Sequence, residues 1–321
     1  MEMGVLMQDC PCLSRDLARI FEIYWQASEK KCAKEVQKMI QQMPPAFYNS
    51  QKPLAIFDGE NNKLDVHLSV VSLVNELGKS VFHLMLYFGA LASPRSLNSP
   101  RRSWDLNDIV EAIKNAKTFI LIHVMDYFPM FLYTQKGKYW PPIDNAIREA
   151  ILRGVKIKII STALHFPSKG LGFLKSLEVL GERYGGGSVT VKIFKVPADS
   201  FAYQPVLQRD RRTHKKFLMA DDTLIIGTSN WSGDYFEDLG TGVAIVLKQT
   251  EKRRKIPQIF KQMKNLFERD WNSNYAHLLN FYIKNCLEEN EGREVEGICE
   301  IEKDPSLLTN FVDINRTTST Q

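Results

Sequence analysis

The succession of periodicities between residues 105 and 159 constrains the fold of this chain more than any other feature. Leu106, Ile109, Val110 and Ile113 recur at helical spacing behind Asp105, which, with Asp108 three residues on, suits a helix N-terminus. A strand is expected over Thr118 to Met125. Trp140-Pro141-Pro142 then opens a second helix with the stripe Ile143, Ala146, Ile147, Ala150 and Ile151, and Gly154 ends it. Val155, Ile157 and Ile159 alternate with Lys156 and Lys158 as the next strand. Strand, helix and strand in this order predict a right-handed crossover between parallel strands, so the class is α/β.

The same reading extends to both sides. Leu13, Leu17, Ile20, Phe21 and Tyr24 mark a helix over Leu13 to Trp25, preceded by a short strand from Gly4 to Met7. Residues 43 to 66 carry prolines and turn-forming residues and read as loop with one strand, while Val66 to Ala92 is apolar without a clear period. A helix within Leu171 to Tyr184 closes on Gly185-Gly186-Gly187, and Val189 to Val196 alternates as a strand. Lys216 to Ala220 and Thr223 to Gly227 form two strands joined across Asp221-Asp222, and Gly242 to Leu247 forms another. Ile259, Phe260, Met263, Leu266 and Phe267 mark a closing helix, so the sheet is mixed. Past about Glu288 the chain is polar and reads as a disordered tail.

Bulk properties restrict function only loosely. With 321 residues and 44% hydrophobic composition the chain can bury a sizeable core, and a net charge of +5 does not demand a polyanionic partner. No stretch reaches the roughly 20 apolar residues of a membrane span, the nearest being Ser80 to Pro94, and the start shows no signal-peptide pattern. Five cysteines cannot all pair within one chain, and Cys10 and Cys12 are poorly placed to bond each other. Reduced thiols, or disulfides to segments outside this chain, remain the two readings.

Chemistry concentrates in residues 213 to 230, THKKFLMADDTLIIGTSN. His214, Lys216 and Asp221 stand in the spacing H-x-K-x-x-x-x-D, with Gly227-Thr228-Ser229-Asn230 behind them. On an extended segment, residues two apart share a face, so His214 and Lys216 project together. An imidazole there can attack phosphorus or protonate a leaving oxygen, and the ammonium neutralises phosphoryl oxygens. Thr228, Ser229 and Asn230 supply hydrogen-bond donors. Asp221 is included with the catalytic set, although holding the strand turn suits it better than touching a substrate. No Cys/His spacing calls for a metal, and no cofactor motif is present. Arg209, Arg211, Arg212, Lys215 and Lys216 form a basic cluster that is either a solvated loop or a guide for a phosphodiester backbone.

These residues resemble the phospholipase D superfamily, whose signature is HxKxxxxD followed by a Gly-Ser/Thr-x-Asn element. Cys10 through Leu17 (CPCLSRDL), Tyr139 through Asp144 (YWPPID), Val196 through Asp199 (VPAD), Gly227 through Gly233 (GTSNWSG) and Arg269-Asp270-Trp271 are similar to the animal endolysosomal phospholipase D-like exonuclease branch. The resemblance runs from about residue 2 to 280, interrupted near 60 to 95.

The resemblance implies an α-β-α sandwich lobe with a mixed sheet and an incomplete second lobe. It divides the chain into 1–60, a remnant of a first lobe; 61–104, an insertion or linker; 105–285, a second lobe carrying the motif segment 209–235; and 286–321, the tail. Members carry two such motifs whose histidines meet, and this chain shows one: His67, His83, His123, His165 and His277 all lack a lysine two residues later. The chain therefore reads as the second half of a longer protein or a truncated gene model. The resemblance further implies a phosphohistidine mechanism without cofactor, with His214 as general acid and base. It gives Glu2 the place of an acidic residue that orients a histidine. The substrate is a phosphodiester, in phospholipid or single-stranded nucleic acid, and the compartment is endolysosomal or the endoplasmic reticulum. Three outcomes follow: a hydrolase, an inactive homologue that binds phosphodiesters, or a homodimer that brings two copies of His214 together. Asn230-Trp231-Ser232 and Asn315-Arg316-Thr317 fit the glycosylation sequon, the first inside the motif, where no glycan is expected.

Overall fold

A computed structural model describes residues 11–29, 33–42, 54–56, 84–98, 103–135, 137–162, 167–184, 186–194, 213–238, 240–249 and 258–280. Glu2, the strand expected at 4–7, Cys10, the arginines at 209, 211 and 212, and the tail past 288 lie outside the described residues.

The strands are β1 (Leu54–Ile56), β2 (Leu84–Ser93), β3 (Phe119–Val124), β4 (Lys156–Thr162), β5 (Val189–Phe194), β6 (Lys216–Ala220), β7 (Thr223–Gly227), β8 (Gly242–Gln249) and β9 (Ala276–Leu278). The helices are α1 (Pro11–Ser28), α2 (Ala33–Gln42), α3 (Asp105–Asn115), α4 (Pro142–Leu152), α5 (Pro167–Tyr184) and α6 (Gln258–Trp271). Among the described residues the strands form one sheet in the order β1-β2-β8-β7-β6-β3-β4-β5-β9. β3, β4 and β5 run parallel, as the crossover pattern predicts, and the remaining pairings are antiparallel.

Period-two alternation sends neighbouring side chains to opposite faces of the sheet. Ile120, Ile122 and Val124 of β3 pack beneath α3, α4 and α5, joined by Ile157, Ile159, Val191, Ile193 and Leu218. Leu121, Phe217, Met219 and Leu224 face the other way, against Leu13 and Ile20 of α1 and Phe260, Met263 and Phe267 of α6. Both faces are therefore covered, which gives the expected α-β-α sandwich. Each fully buried aliphatic or aromatic side chain contributes about 1.5–3 kcal/mol relative to its exposed state. Gly154 ends α4 at φ 81°, a left-handed value that costs glycine little.

Part of the segment expected as an insertion or linker, 61–104, belongs to the sheet: β2 lies within it, pairs from Leu86 to Ser93 with β8, and is the second strand from the β1 edge. Its apolar run carries no polar alternation, and periodicity alone does not separate such a strand from other apolar segments. The first helix is likewise joined to the sheet: the Tyr24 hydroxyl lies 2.6 Å from the Ser93 carbonyl oxygen and 2.9 Å from that of Gly242. One expectation is corrected: Asp105 does not cap α3. Trp104 is the cap residue without a side-chain cap bond, and the Asp105 carboxylate turns inward to accept from the Ser93 hydroxyl at 2.7 Å and the Leu106 amide at 2.8 Å.

Candidate functional site

The strand directions gather the motif at one edge of the sheet. β3, β4 and β5 end there; β6 starts there, antiparallel to β3; β7 ends there; and β8 starts there. In an open α/β sheet the crevice beyond the carboxyl ends of the parallel strands is the usual place for a ligand. Val124 pairs with Lys216, and Gly227 with Ala244, so His214, Met125, Asp126 and Thr228 to Asn230 sit just beyond the ladder on the same edge.

Lys216 is buried, although its charge faces the site. Its Nζ donates to the His214 carbonyl oxygen at 3.0 Å and lies 4.0 Å from Met125 Sδ. The His214 side chain is exposed at the rim. Lys216 lines a small cavity with Asp105, Gly227, Ser229, Trp231 and Phe236. Ser229 is buried and packs directly over Gly242, where an added Cβ would collide with Ser229 Oγ in its present rotamer. Burial pushes the Asp105 carboxyl up to about 7, against the hydrogen bonds from Ser93 and Leu106.

Three motif residues are engaged by contacts within the fold. Asp221 is not at the site. Five residues of β6 separate it from His214, and at φ 45° it turns the hairpin into β7. Its carboxylate accepts from the amides of Lys117 at 2.6 Å, Thr118 at 3.2 Å and Phe119 at 2.9 Å, and from the Thr118 hydroxyl. Burial works to raise its pKa, but these donors together outweigh it and hold the carboxyl below the usual range. Asp221 thus fixes the start of β3, and the spacing that unites it with His214 reflects the length of β6. The Thr228 hydroxyl is engaged by the Val243 backbone, accepting from its amide at 3.0 Å and donating to its carbonyl at 3.3 Å, so it ties β7 to β8. Asn230 is buried, and its Nδ2 donates to Asp126 Oδ2 at 3.1 Å.

The opposite face of the same segment is also corrected. Lys215 does not reach out to solvent. It is 2% exposed and paired with Asp270, which Arg269 also contacts through Nη2 at 2.7 Å. Burial pulls the Lys215 pKa down and Asp270 opposes the shift. Next to the pair, His123 Nε2 and Thr213 Oγ1 are hydrogen bonded at 2.9 Å, the donor being set by the imidazole tautomer. Burial, reinforced by Lys215, lowers the His123 pKa to about 3, so this imidazole is neutral over the physiological range. His277 sits on β9, four strands from β6 and so about 19 Å away at ~4.8 Å per strand. Among the described residues, neither histidine is brought to His214.

A family model described as "PLD3/4, PLD-like domain" matches residues 1–199. The chain belongs to this phospholipase D-like family. It is 35% identical over 283 residues to a probable phospholipase D of Caenorhabditis elegans, covering 86% of this chain and 45% of that protein. It is 35% identical over 281 residues to the 5′-3′ exonuclease PLD3 of Xenopus laevis, covering 87% of this chain and 51% of that protein. The human 5′-3′ exonuclease PLD3 is 30% identical over 278 residues, with 86% and 50% covered. Alignments of this length necessarily span the His214 segment, although the family model's match ends before it. The chain spans about half the length of these relatives. No described helix is long and apolar enough to cross a membrane.

The residues without a role in the sequence reading are Asp126, which Asn230 holds; Gly242, over which Ser229 packs; and His123 and Asp270 of the back face, bonded to Thr213 and Lys215. Arg269-Asp270-Trp271 had been noticed as part of the resemblance, without a role. Nothing in the sequence around Asp126 or Gly242 marks them, because their importance comes from strands that meet only in the sheet.

Proposed function

We propose that this chain is a phosphodiester hydrolase of the phospholipase D type, with His214 and Lys216 handling the phosphoryl group. The observation that supports it is the placement of an exposed imidazole, a buried lysine and Ser229 at the same carboxyl edge of the parallel strands. One imidazole forms a nitrogen–phosphorus bond as the phosphorus–oxygen bond to the leaving group breaks. A second imidazolium gives its proton to the departing oxygen, then takes one from water, whose oxygen displaces the first histidine. His214 is assigned the proton-transfer role, and Lys216 and Ser229 neutralise and orient the equatorial oxygens.

The partner histidine comes from outside the described residues, either from further protein sequence or from a second copy of the chain presenting its own His214. Single-stranded nucleic acid is favoured as substrate over phospholipid, since relatives in frogs and humans are named 5′-3′ exonucleases. The compartment proposed from the family resemblance is endolysosomal or the endoplasmic reticulum. Hydrolysis of bis-p-nitrophenyl phosphate and of a 5′-labelled single-stranded oligonucleotide, with mass measured during size exclusion, tests this reading. An active dimer that loses at least roughly a hundredfold in rate with His214→Ala supports pairing. An inactive monomer that still binds the oligonucleotide supports the alternative, a homologue that binds phosphodiesters without cleaving them.

A further inference from the structure

Residues 213 to 216 alternate between two sides of the strand, and the two sides do different things. His214 and Lys216 face the candidate site. Thr213 and Lys215 face the opposite side, where both are buried, Thr213 at 0% and Lys215 at 2% exposure. We propose that this back side is a positioning device: Thr213 is fastened to His123 of β3 and Lys215 to Asp270 of α6, and together they set the backbone from which His214 and Lys216 project. The inference rests on the phosphodiesterase reading of that site.

Each fastening has a stated geometry. The Thr213 hydroxyl is 2.9 Å from His123 Nε2, and His123 is held by Phe217 and Phe267, with ring centroids at 5.6 and 6.5 Å. The Lys215 ammonium is paired with Asp270 Oδ2, while Asp270 Oδ1 accepts from Arg269 Nε at 3.0 Å and Nη2 at 2.7 Å. His123 Nδ1 stands 3.6 Å from the same Asp270 oxygen, beyond a hydrogen bond, and stays neutral. The fastened positions flank His214 on both sides in sequence. The His214 carbonyl in turn receives the Lys216 ammonium at 3.0 Å, so a shift of this backbone displaces both groups together. α6 thereby acts on the site through residue 215.

A buried ion pair that loses one partner leaves an uncompensated charge, whereas replacing both partners by apolar residues of similar size is tolerated far better. The informative variant is therefore Lys215→Met with Asp270→Leu in the full chain; Arg269, 63% exposed, stays solvated. We expect it to fold with a Tm near that of the wild type, to lose roughly ten- to a hundredfold in kcat on bis-p-nitrophenyl phosphate, and to keep KM within about threefold. Thr213→Val, nearly isosteric, is expected to give a smaller loss in the same direction, and carries the test if the double variant does not fold. The His214 imidazole Cε1 resonance, assigned by His214→Ala and recorded with and without inorganic phosphate, reads the same effect without turnover. One sharp signal in the wild type that broadens or splits in the variants supports the proposal. Wild-type kcat together with an unchanged His214 signal overturns it. A wild-type protein that neither cleaves the ester nor responds to phosphate refutes the phosphodiesterase reading, and the His214 line shape still decides the positioning role.

Discussion

Replacing Asp221 with alanine separates a catalytic from a structural role for the last residue of the HxKxxxxD spacing. The carboxylate accepts from three amides and one hydroxyl at the start of β3, and one hydrogen bond to a charged group contributes about 1.5–3 kcal/mol. Asp221 is only partly buried, so water competes for the same oxygens, and the set is discounted to about 2 kcal/mol in total. Alanine at φ 45° adds about 1 kcal/mol of backbone strain, which asparagine avoids. Asp221→Ala is therefore expected to cost about 3 kcal/mol, a drop in Tm of roughly 5–10 °C, and Asp221→Asn clearly less. The pH dependence has a definite sign. The folded carboxyl lies below its ordinary range, so its contribution is present above about pH 4 and is lost as pH falls through the lowered folded value. The gap between wild type and Asp221→Ala should hold at pH 7 and narrow below about pH 4 in melts followed by circular dichroism. Hydrolysis measured well below the lower Tm should be nearly normal. An unchanged Tm accompanied by abolished hydrolysis would show that Asp221 acts at the phosphate and that its placement at the far end of β6 has been misjudged.

Other perturbations test the site from different directions. Gly242→Ala should push the Ser229 hydroxyl into another rotamer for a stability cost of about 1 kcal/mol while lowering kcat/KM roughly tenfold, the value of one lost hydrogen bond; unaffected kcat/KM would remove Ser229 from the site. Asp105, raised to about 7, binds a proton more readily folded than unfolded, so wild-type stability declines through this group as pH rises from about 4 to 7. Asp105→Asn should thus gain on the wild type by about 2–3 kcal/mol between pH 5 and pH 8 in urea melts, and a gap that does not change with pH would show that the carboxyl titrates normally. Tyr127→Phe removes the hydroxyl that donates to the buried Asp144 at 2.5 Å, and a loss of about 1–2 kcal/mol in stability is expected without a change in KM.

The elements of the lobe were legible because their apolar residues repeat at the period of the structure they form. The stripe of α4 and the alternation of β4 each need only local geometry, and the parallel pairing of β3 with β4 follows from chirality. β2 was not legible, since its apolar run has no polar alternation to betray it, and its antiparallel partner β8 lies more than a hundred residues further on. Asp105 was misread for a related reason: a carboxylate at the start of a helix suits a cap, and only the approach of Ser93 shows that it turns inward.

The sequence by itself determined the α/β class, the placement of His214 and Lys216 on one side of an extended segment, and the family. The tertiary structure alone decided what the neighbouring residues do. The letters of THKK do not say that Lys215 pairs with Asp270, and the eight residues of HxKxxxxD do not say that Asp221 holds the beginning of another strand. Both depend on long-range packing: Lys215 is a buried fastening because α6 supplies Asp270, and Asp221 holds β3 because the first amides of that strand come within reach of its carboxylate.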